Sequence, residues 1–176
     1  YFNSPMLDFK IETIDRRTDK PETILGEEQS QALEMMKAFL KNKDSQVFSL
    51  IGAAGTGKSF LMRTLIDYMR NEGIQRCLCA PTHKAKLVLE RFTDDEAITL
   101  HKLLSLSPNL EILDLDFNDL KFVTKNSVLN IPHNGVVICD ESSMINDDLF
   151  DLLLEKVKEF RSKVIFVGDR AQLRPV

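Results

Sequence analysis

Residues 52 to 59 read Gly-Ala-Ala-Gly-Thr-Gly-Lys-Ser, a complete G-x-x-x-x-G-K-S loop. Such a loop turns a strand into a helix with its backbone N–H groups aimed at a polyphosphate. Gly52, Gly55 and Gly57 leave room for close backbone approach, and Ala53, Ala54 and Thr56 complete the cradle. Lys58 supplies a compact positive charge for the β- and γ-phosphates, and the Ser59 hydroxyl can ligate Mg²⁺. A helix opening at Lys58 adds the positive end of its dipole. The chemistry these residues imply is binding of a nucleoside triphosphate with magnesium.

Other residues can complete that chemistry. Asp140 and Glu141 follow an apolar run. Mg·ATP chemistry needs one carboxylate to hold the metal and another group to position the attacking water. Asp140 suits the first role and Glu141 the second. An isolated Asp-Glu pair is usually a solvated strand end; behind a phosphate loop in the same sheet it reads as functional. Gln172, in Gly168-Asp169-Arg170-Ala171-Gln172, can hydrogen-bond a γ-phosphate or the attacking water, although alone it is only part of a polar loop. Gln29 has an amide with a donor and an acceptor, which suits an adenine edge; otherwise it is a surface residue of a helix. Pro81-Thr82-His83-Lys84 can contact nucleic-acid phosphates, and His101 can stack on a base or cap a helix.

These residues need a scaffold that brings them to one place. Val47–Ile51, Arg76–Ala80, Gly135–Cys139 and Val164–Val167 are short apolar runs that predict buried strands. Helical periodicity predicts helices over 27–41, 58–71, 84–92 and about 100–105, and again after Asp140 with Leu149, Leu152, Leu153, Val157 and Phe160 on one face. Apolar strands alternating with helices predict an α/β fold, a parallel sheet covered on both faces. Ligands of such sheets bind at the carboxyl ends of the strands. Gly52–Ser59, Pro81–Lys84, Asp140–Ser143 and Gly168–Gln172 all fall at those ends.

The 176 residues fit one domain with a small insertion, and 43% hydrophobic residues suffice for a core. No apolar run reaches the roughly 20 residues of a membrane span. Three cysteines without metal spacing are expected to be core thiols in a reducing compartment. Net charge is −4, which argues against indiscriminate nucleic-acid binding. The charge is uneven, however: residues 60–91 hold six Lys/Arg against three acids, and 94–159 hold fourteen acids against five Lys. Residues 1–5 precede Met6 and are expected to be a cloning remnant, and the polar stretch 1–24 a loosely docked arm. Residues 107–131 read as a hairpin-like insertion.

In order, LGEEQ, GAAGTGKS, APTHKAK, TLHKLL, VVICDESSM and VGDRAQLRPV resemble the first motor domain of superfamily 1 DNA helicases of the RecD-like and phage Dda type. The resemblance covers residues 25–176. It implies a P-loop NTPase with a RecA-like sheet, ATP and Mg²⁺ as cofactors, and single-stranded DNA as partner. It further implies a second motor domain in a longer chain, with no membrane association and with replication, repair or recombination proteins as possible partners. By resemblance, Gln29 reads adenine, Lys58, Glu141 and Gln172 serve catalysis, and Ser59 and Asp140 hold the metal. Pro81, Thr82, His83, Lys84 and His101 grip DNA, and the insertion is pin-like with Phe117 or Phe122 as a contacting aromatic. Movement would be 5′→3′. Gly26 departs from the family's usual Thr or Ser before the acidic pair. The second motor domain and its arginine finger have no matching motif in the 176 residues, so poor hydrolysis is expected of this chain alone. Alternatives are a nucleotide-binding regulatory or loading subunit, or a switch GTPase or kinase. For a GTPase, Thr124-Lys125-Asn126-Ser127 is not the N-K-x-D base-reading loop.

Overall fold

The structure is a computed structural model that describes residues 6–9, 25–53, 55–106 and 130–169. Its centre is a six-stranded, all-parallel sheet. In chain order the elements are β1 (Met6–Phe9), α1 (Glu27–Lys41), β2 (Val47–Gly52), α2 (Lys58–Asn71), β3 (Arg76–Ala80), α3 (His83–Thr93), β4 (Ala97–Thr99), α4 (Leu100–Leu103), β5 (Val136–Cys139), a 3-10 turn (Ser142–Met144), α5 (Asp147–Glu159) and β6 (Lys163–Gly168). Across the sheet the order is β1-β2-β6-β5-β3-β4. The α/β class and the parallel sheet expected from the sequence are therefore present.

Strand alternation explains how the sheet is covered on both faces. Leu78, Ile138, Ile165 and Phe48 are register neighbours on four adjacent strands, and all four are buried in one core with α1, α2 and Leu89 of α3. One residue further along, Cys79, Cys139 and Phe166 are also in register and point into a second core with Leu100, Leu103 and Leu104 at α4, and Leu153 and Val157 of α5. Successive side chains of a strand point to opposite faces, so an uninterrupted apolar run is what a doubly covered sheet requires.

The thiols are core groups, as expected. Cys79 and Cys139 are buried and Cys77 is half-buried on the same face. Burial pushes the Cys77 thiol up to about 11, which keeps it protonated and unreactive.

Two strands were not anticipated. Met6–Phe9 lies in the stretch expected to be a loosely docked arm, yet it pairs in parallel with Met6 opposite Ser49 and Phe9 opposite Gly52. The open edge of β2 offers a row of backbone donors and acceptors to any short extended segment. The three-residue β4 pairs with Leu78–Ala80. Neither strand is long enough to show a periodic pattern. Of the expected insertion, residues 107–129 lie outside the described residues. At its end Ile131 is buried in the second core and the Asn130 side chain donates to the Lys102 carbonyl at 3.3 Å.

Candidate nucleotide site and the adjacent strand ends

The phosphate loop leaves the buried carboxyl end of β2 and enters α2 directly. Gly57 caps α2 at φ +80°, a left-handed conformation that disfavours any residue with a Cβ. Thr56 is buried, and its hydroxyl donates to the Ala53 carbonyl at 2.8 Å. A loop without regular structure thus gains an internal tie. Lys58 Nζ donates to the carbonyl oxygens of Gly52 and of Ala53, the latter at 2.8 Å. The ammonium therefore sits in the mouth of the loop. Ser59 is exposed at the start of α2. Ala54 lies outside the described residues.

Gln29 is on the first turn of α1 and touches this loop. Its side-chain carbonyl accepts from the Gly26 N–H at 3.1 Å, and its amide donates to the Thr56 carbonyl at 3.5 Å. Gly26 has no side chain to cap α1, so Gln29 supplies the reach-back half of a capping box. The missing side-chain cap at Gly26 is partly offset in this way.

Asp140 and Glu141 follow β5, two strands from the phosphate loop with β6 between. Asp140 and Ser59 line one small cavity, with Leu89, Thr93 and Val167. Burial raises the Asp140 carboxyl above its ordinary value, while the Glu141 backbone N–H and the Lys58 charge pull it back and the Glu141 carboxylate opposes them. A half-buried carboxylate and a hydroxyl that line one cavity are a fitting donor set for a hard cation. Among the described residues no group of three His, Cys, Asp or Glu could hold a metal alone. A cation here would depend on substrate phosphates and water, as Mg²⁺ characteristically does.

Glu141 is exposed and has φ +53°, a conformation that non-glycine residues seldom adopt. It is held by the 3-10 turn: the Met144 N–H donates to its carbonyl, and the next residue, Ser142, donates its hydroxyl to Val167 of β6 at 3.0 Å. A Cβ on Gly168 would come 3.0 Å from that hydroxyl. Sequence reasoning missed Ser142 as a tie between β5 and β6. Its only sequence signal is its position directly after the acidic pair. Gln172 lies outside the described residues.

The remaining site residues follow the next two strands. Pro81 and Thr82 leave β3, and Thr82 is the N-cap of α3, accepting from the Ala85 N–H at 3.1 Å. His83 and Lys84 are exposed. His101 is part-exposed in α4, directly beyond β4, whose Thr99 is in register with Ala80. The unanticipated β4 is what sets His101 beside the Pro81 segment. Phe117 and Phe122 lie outside the described residues. From β2 to β4, then, the carboxyl edge carries the phosphate loop, Gly168, the acidic pair, the Pro81–Lys84 segment and His101.

A parallel α/β sheet with this loop and acidic pair on one edge is a P-loop NTPase fold. Residues 25–176 match the AAA domain family, and the chain belongs to that family, among the superfamily 1 helicases of RecD and Dda type. It is 32% identical over 153 residues to the ATP-dependent DNA helicase dda of Enterobacteria phage T4, covering 86% of this chain and 33% of that protein. It is 32% identical over 152 residues to the ATP-dependent RecD2 DNA helicase of Deinococcus radiodurans, covering 86% and 18%. It is 31% identical over 157 residues to the ATP-dependent DNA helicase PIF1 of Emericella nidulans, covering 81% and 20%. The chain therefore spans a third or less of the length of these relatives.

Proposed function

We propose that this chain is the nucleotide-binding motor domain of an ATP-dependent DNA helicase, and that it binds Mg·ATP at the β2–β5 edge and single-stranded DNA at the β3–β4 edge. The observation that carries the reading is the shared cavity of Ser59 and Asp140 beside Lys58, with Pro81–Lys84 on the adjoining strand end. Magnesium, when bound, would neutralise developing phosphate charge between Ser59 and Asp140. Lys58 would leave the Gly52 and Ala53 carbonyls for the phosphates. Glu141 would orient the attacking water, and Gln172 would report the state of the γ-phosphate. Ser142 ties the Glu141 turn to the strand that leads to Gln172. The names of the relatives support DNA as the polymer. We further propose 5′→3′ movement, driven by closure against a second motor domain of a longer chain. The cation charge a trans-acting arginine supplies is worth roughly 10³–10⁵ in rate in P-loop enzymes.

ATP turnover with and without single-stranded DNA tests this, on the 176 residues and on a longer chain carrying the second motor domain. The expected result is strong DNA stimulation in the longer chain and slow, DNA-insensitive turnover in the shorter. A longer chain indifferent to DNA would overturn the motor reading in favour of a nucleotide-binding regulatory subunit.

A further inference from the structure

We infer that copies of this chain associate head to tail, the exposed face of α3 on one copy seating on the exposed face of α5 on the next. The inference needs only the fold and stands apart from the nucleotide-site reading.

α3 carries apolar surface that the fold does not use. Its buried side holds Leu89 and Thr93, and Leu89 anchors the helix in the first core. On the other side Leu87, Val88 and Phe92 are 57%, 44% and 50% exposed, three of the six large apolar side chains exposed among the described residues. Single exposed apolar residues are ordinary, but three within two turns of one helix make a patch. Exposed Lys84 and Arg91 lie on either side of Leu87 and Val88. These four residues are spaced i, i+3, i+4, i+7, so they form one stripe. Among the described residues neither cation has an ion-pair partner, whereas Lys86 on the flank is paired with Glu90 at 3.1 Å. An apolar centre with a charged rim is the anatomy of an interface.

The complement lies on the opposite face of the same sheet. α5 is anchored in the second core by Leu153 and Val157. Its outer side exposes Asp147, Asp148, Asp151 and Glu155, with Lys158 near the C-terminal end. Phe150, 36% exposed, and part-buried Leu154 run along that side. Asp148 and Glu155 are seven residues apart, as are Lys84 and Arg91. Residues so spaced lie on one side of a helix, roughly 10 Å apart along its axis. Two ion pairs can therefore form at once, with the helices running in either direction.

α3 and α5 cover opposite faces of the sheet, so the two stripes cannot meet within one molecule. Between copies they can, and each contact leaves an α3 free at one end and an α5 free at the other. Such a heterologous contact closes into a ring or continues as a filament. The net charge of −4 makes copies repel at long range. At physiological salt that repulsion is screened beyond about 8 Å, and local complementarity decides.

Analytical ultracentrifugation of the 176-residue chain up to about 200 µM, a range suited to a small and weak interface, tests this. The average mass is expected to rise with concentration past that of a dimer, and to fall between about 0.1 M and about 0.5 M salt. Lys84→Glu with Arg91→Glu, and separately Asp148→Lys with Glu155→Lys, should each weaken association about tenfold or more, because like charges then face each other. An equal mixture of the two double variants should restore it, since every α3–α5 contact between unlike copies is again of opposite sign. Leu87→Ser with Val88→Ser leaves every charge in place and should weaken association about tenfold as well. The six substituted positions are exposed, so each variant should melt near wild type. If one double variant melted early, the salt dependence of wild type and the remaining variants would still decide. A wild type that stays monomeric would overturn the inference. If its affinity for a single-stranded dT oligonucleotide then fell in the Leu87→Ser, Val88→Ser variant, the stripe would belong to nucleic acid instead. Association that ignores the charge reversals, or that the mixture fails to restore, would overturn it too. So would a mass that stops at two copies, the mark of a symmetric contact.

Discussion

Asp140 illustrates a single residue whose proposed role in holding a cation opposes stability. Its carboxyl is raised by burial, so the folded chain holds that proton more tightly than the unfolded chain. Its contribution to stability therefore falls as pH rises from the ordinary aspartate range through the raised value, and at neutral pH the buried charge is a net cost. Asp140→Asn is expected to melt higher than wild type at pH 7 without nucleotide, with the gap closing toward pH 4. A gap that widened on acidification would contradict this. The same variant should lose Mg²⁺-dependent nucleotide stabilisation. Lys58 gives the converse case. It is part-exposed and, among the described residues, hydrogen-bonds the Gly52 and Ala53 carbonyls of the loop, so Lys58→Ala should leave the unliganded fold intact. At a hundredfold excess over Kd, Mg·ATP should stabilise wild type by about 2.7 kcal/mol. The variant should gain none, as thermal melting with and without ligand will show.

At the scale of elements, the N-terminal ends of α2 and α3 matter most, because each follows a strand's carboxyl end on the edge that carries the candidate site. Thr82 was read as a DNA contact, and in the fold its oxygen already caps α3. The hydroxyl can still donate outward, so both roles are compatible. Thr82→Ala should cost about 1 kcal/mol in denaturant unfolding. Thr82→Ser should restore most of it. Equal stability of the Ala variant and wild type would remove the cap from the account. Gly57 ends the loop in a left-handed conformation under Gln29. Gly57→Ala should cost about 1–3 kcal/mol. It should also abolish nucleotide binding, because the new methyl displaces the amide. Wild-type affinity in that variant would show that the loop can reshape around a Cβ.

For the molecule as a whole, the sheet divides its carboxyl edge into two halves. The phosphate loop, Gly168 and the acidic pair occupy β2, β6 and β5; the Pro81 segment and His101 occupy β3 and β4. Across that divide the Asp140 backbone N–H donates to the Cys79 carbonyl of β3 at 3.0 Å. The acidic pair is therefore joined to β6 by Ser142 and to β3 by the sheet itself. Under the proposed function, such ties would couple nucleotide contacts on one half to the other. Ser142→Ala should leave Mg·ATP affinity nearly unchanged and lower turnover, and kcat against KM in a DNA-stimulated assay of the longer chain will check it. A change confined to KM would place Ser142 in binding instead.

The sequence alone determined the class of ligand and most of the sheet. A glycine-rich loop between an apolar strand and a helix has few other uses, and four apolar runs ending in polar residues define one edge. Local patterning carries this information because strand and helix periods are properties of neighbouring residues. What it could not show was contact between residues remote in sequence. Gln29 is an ordinary helical amide until the fold brings it to Thr56, 27 residues away. Ser142 is an unremarked serine until β6 lies beside β5. β1 and β4 are too short for any period to appear, and exist because a neighbouring strand offers them an edge. Tertiary structure decided these points, since a hydrogen bond across the sheet depends on which strands are neighbours, and strand order is a property of the whole chain.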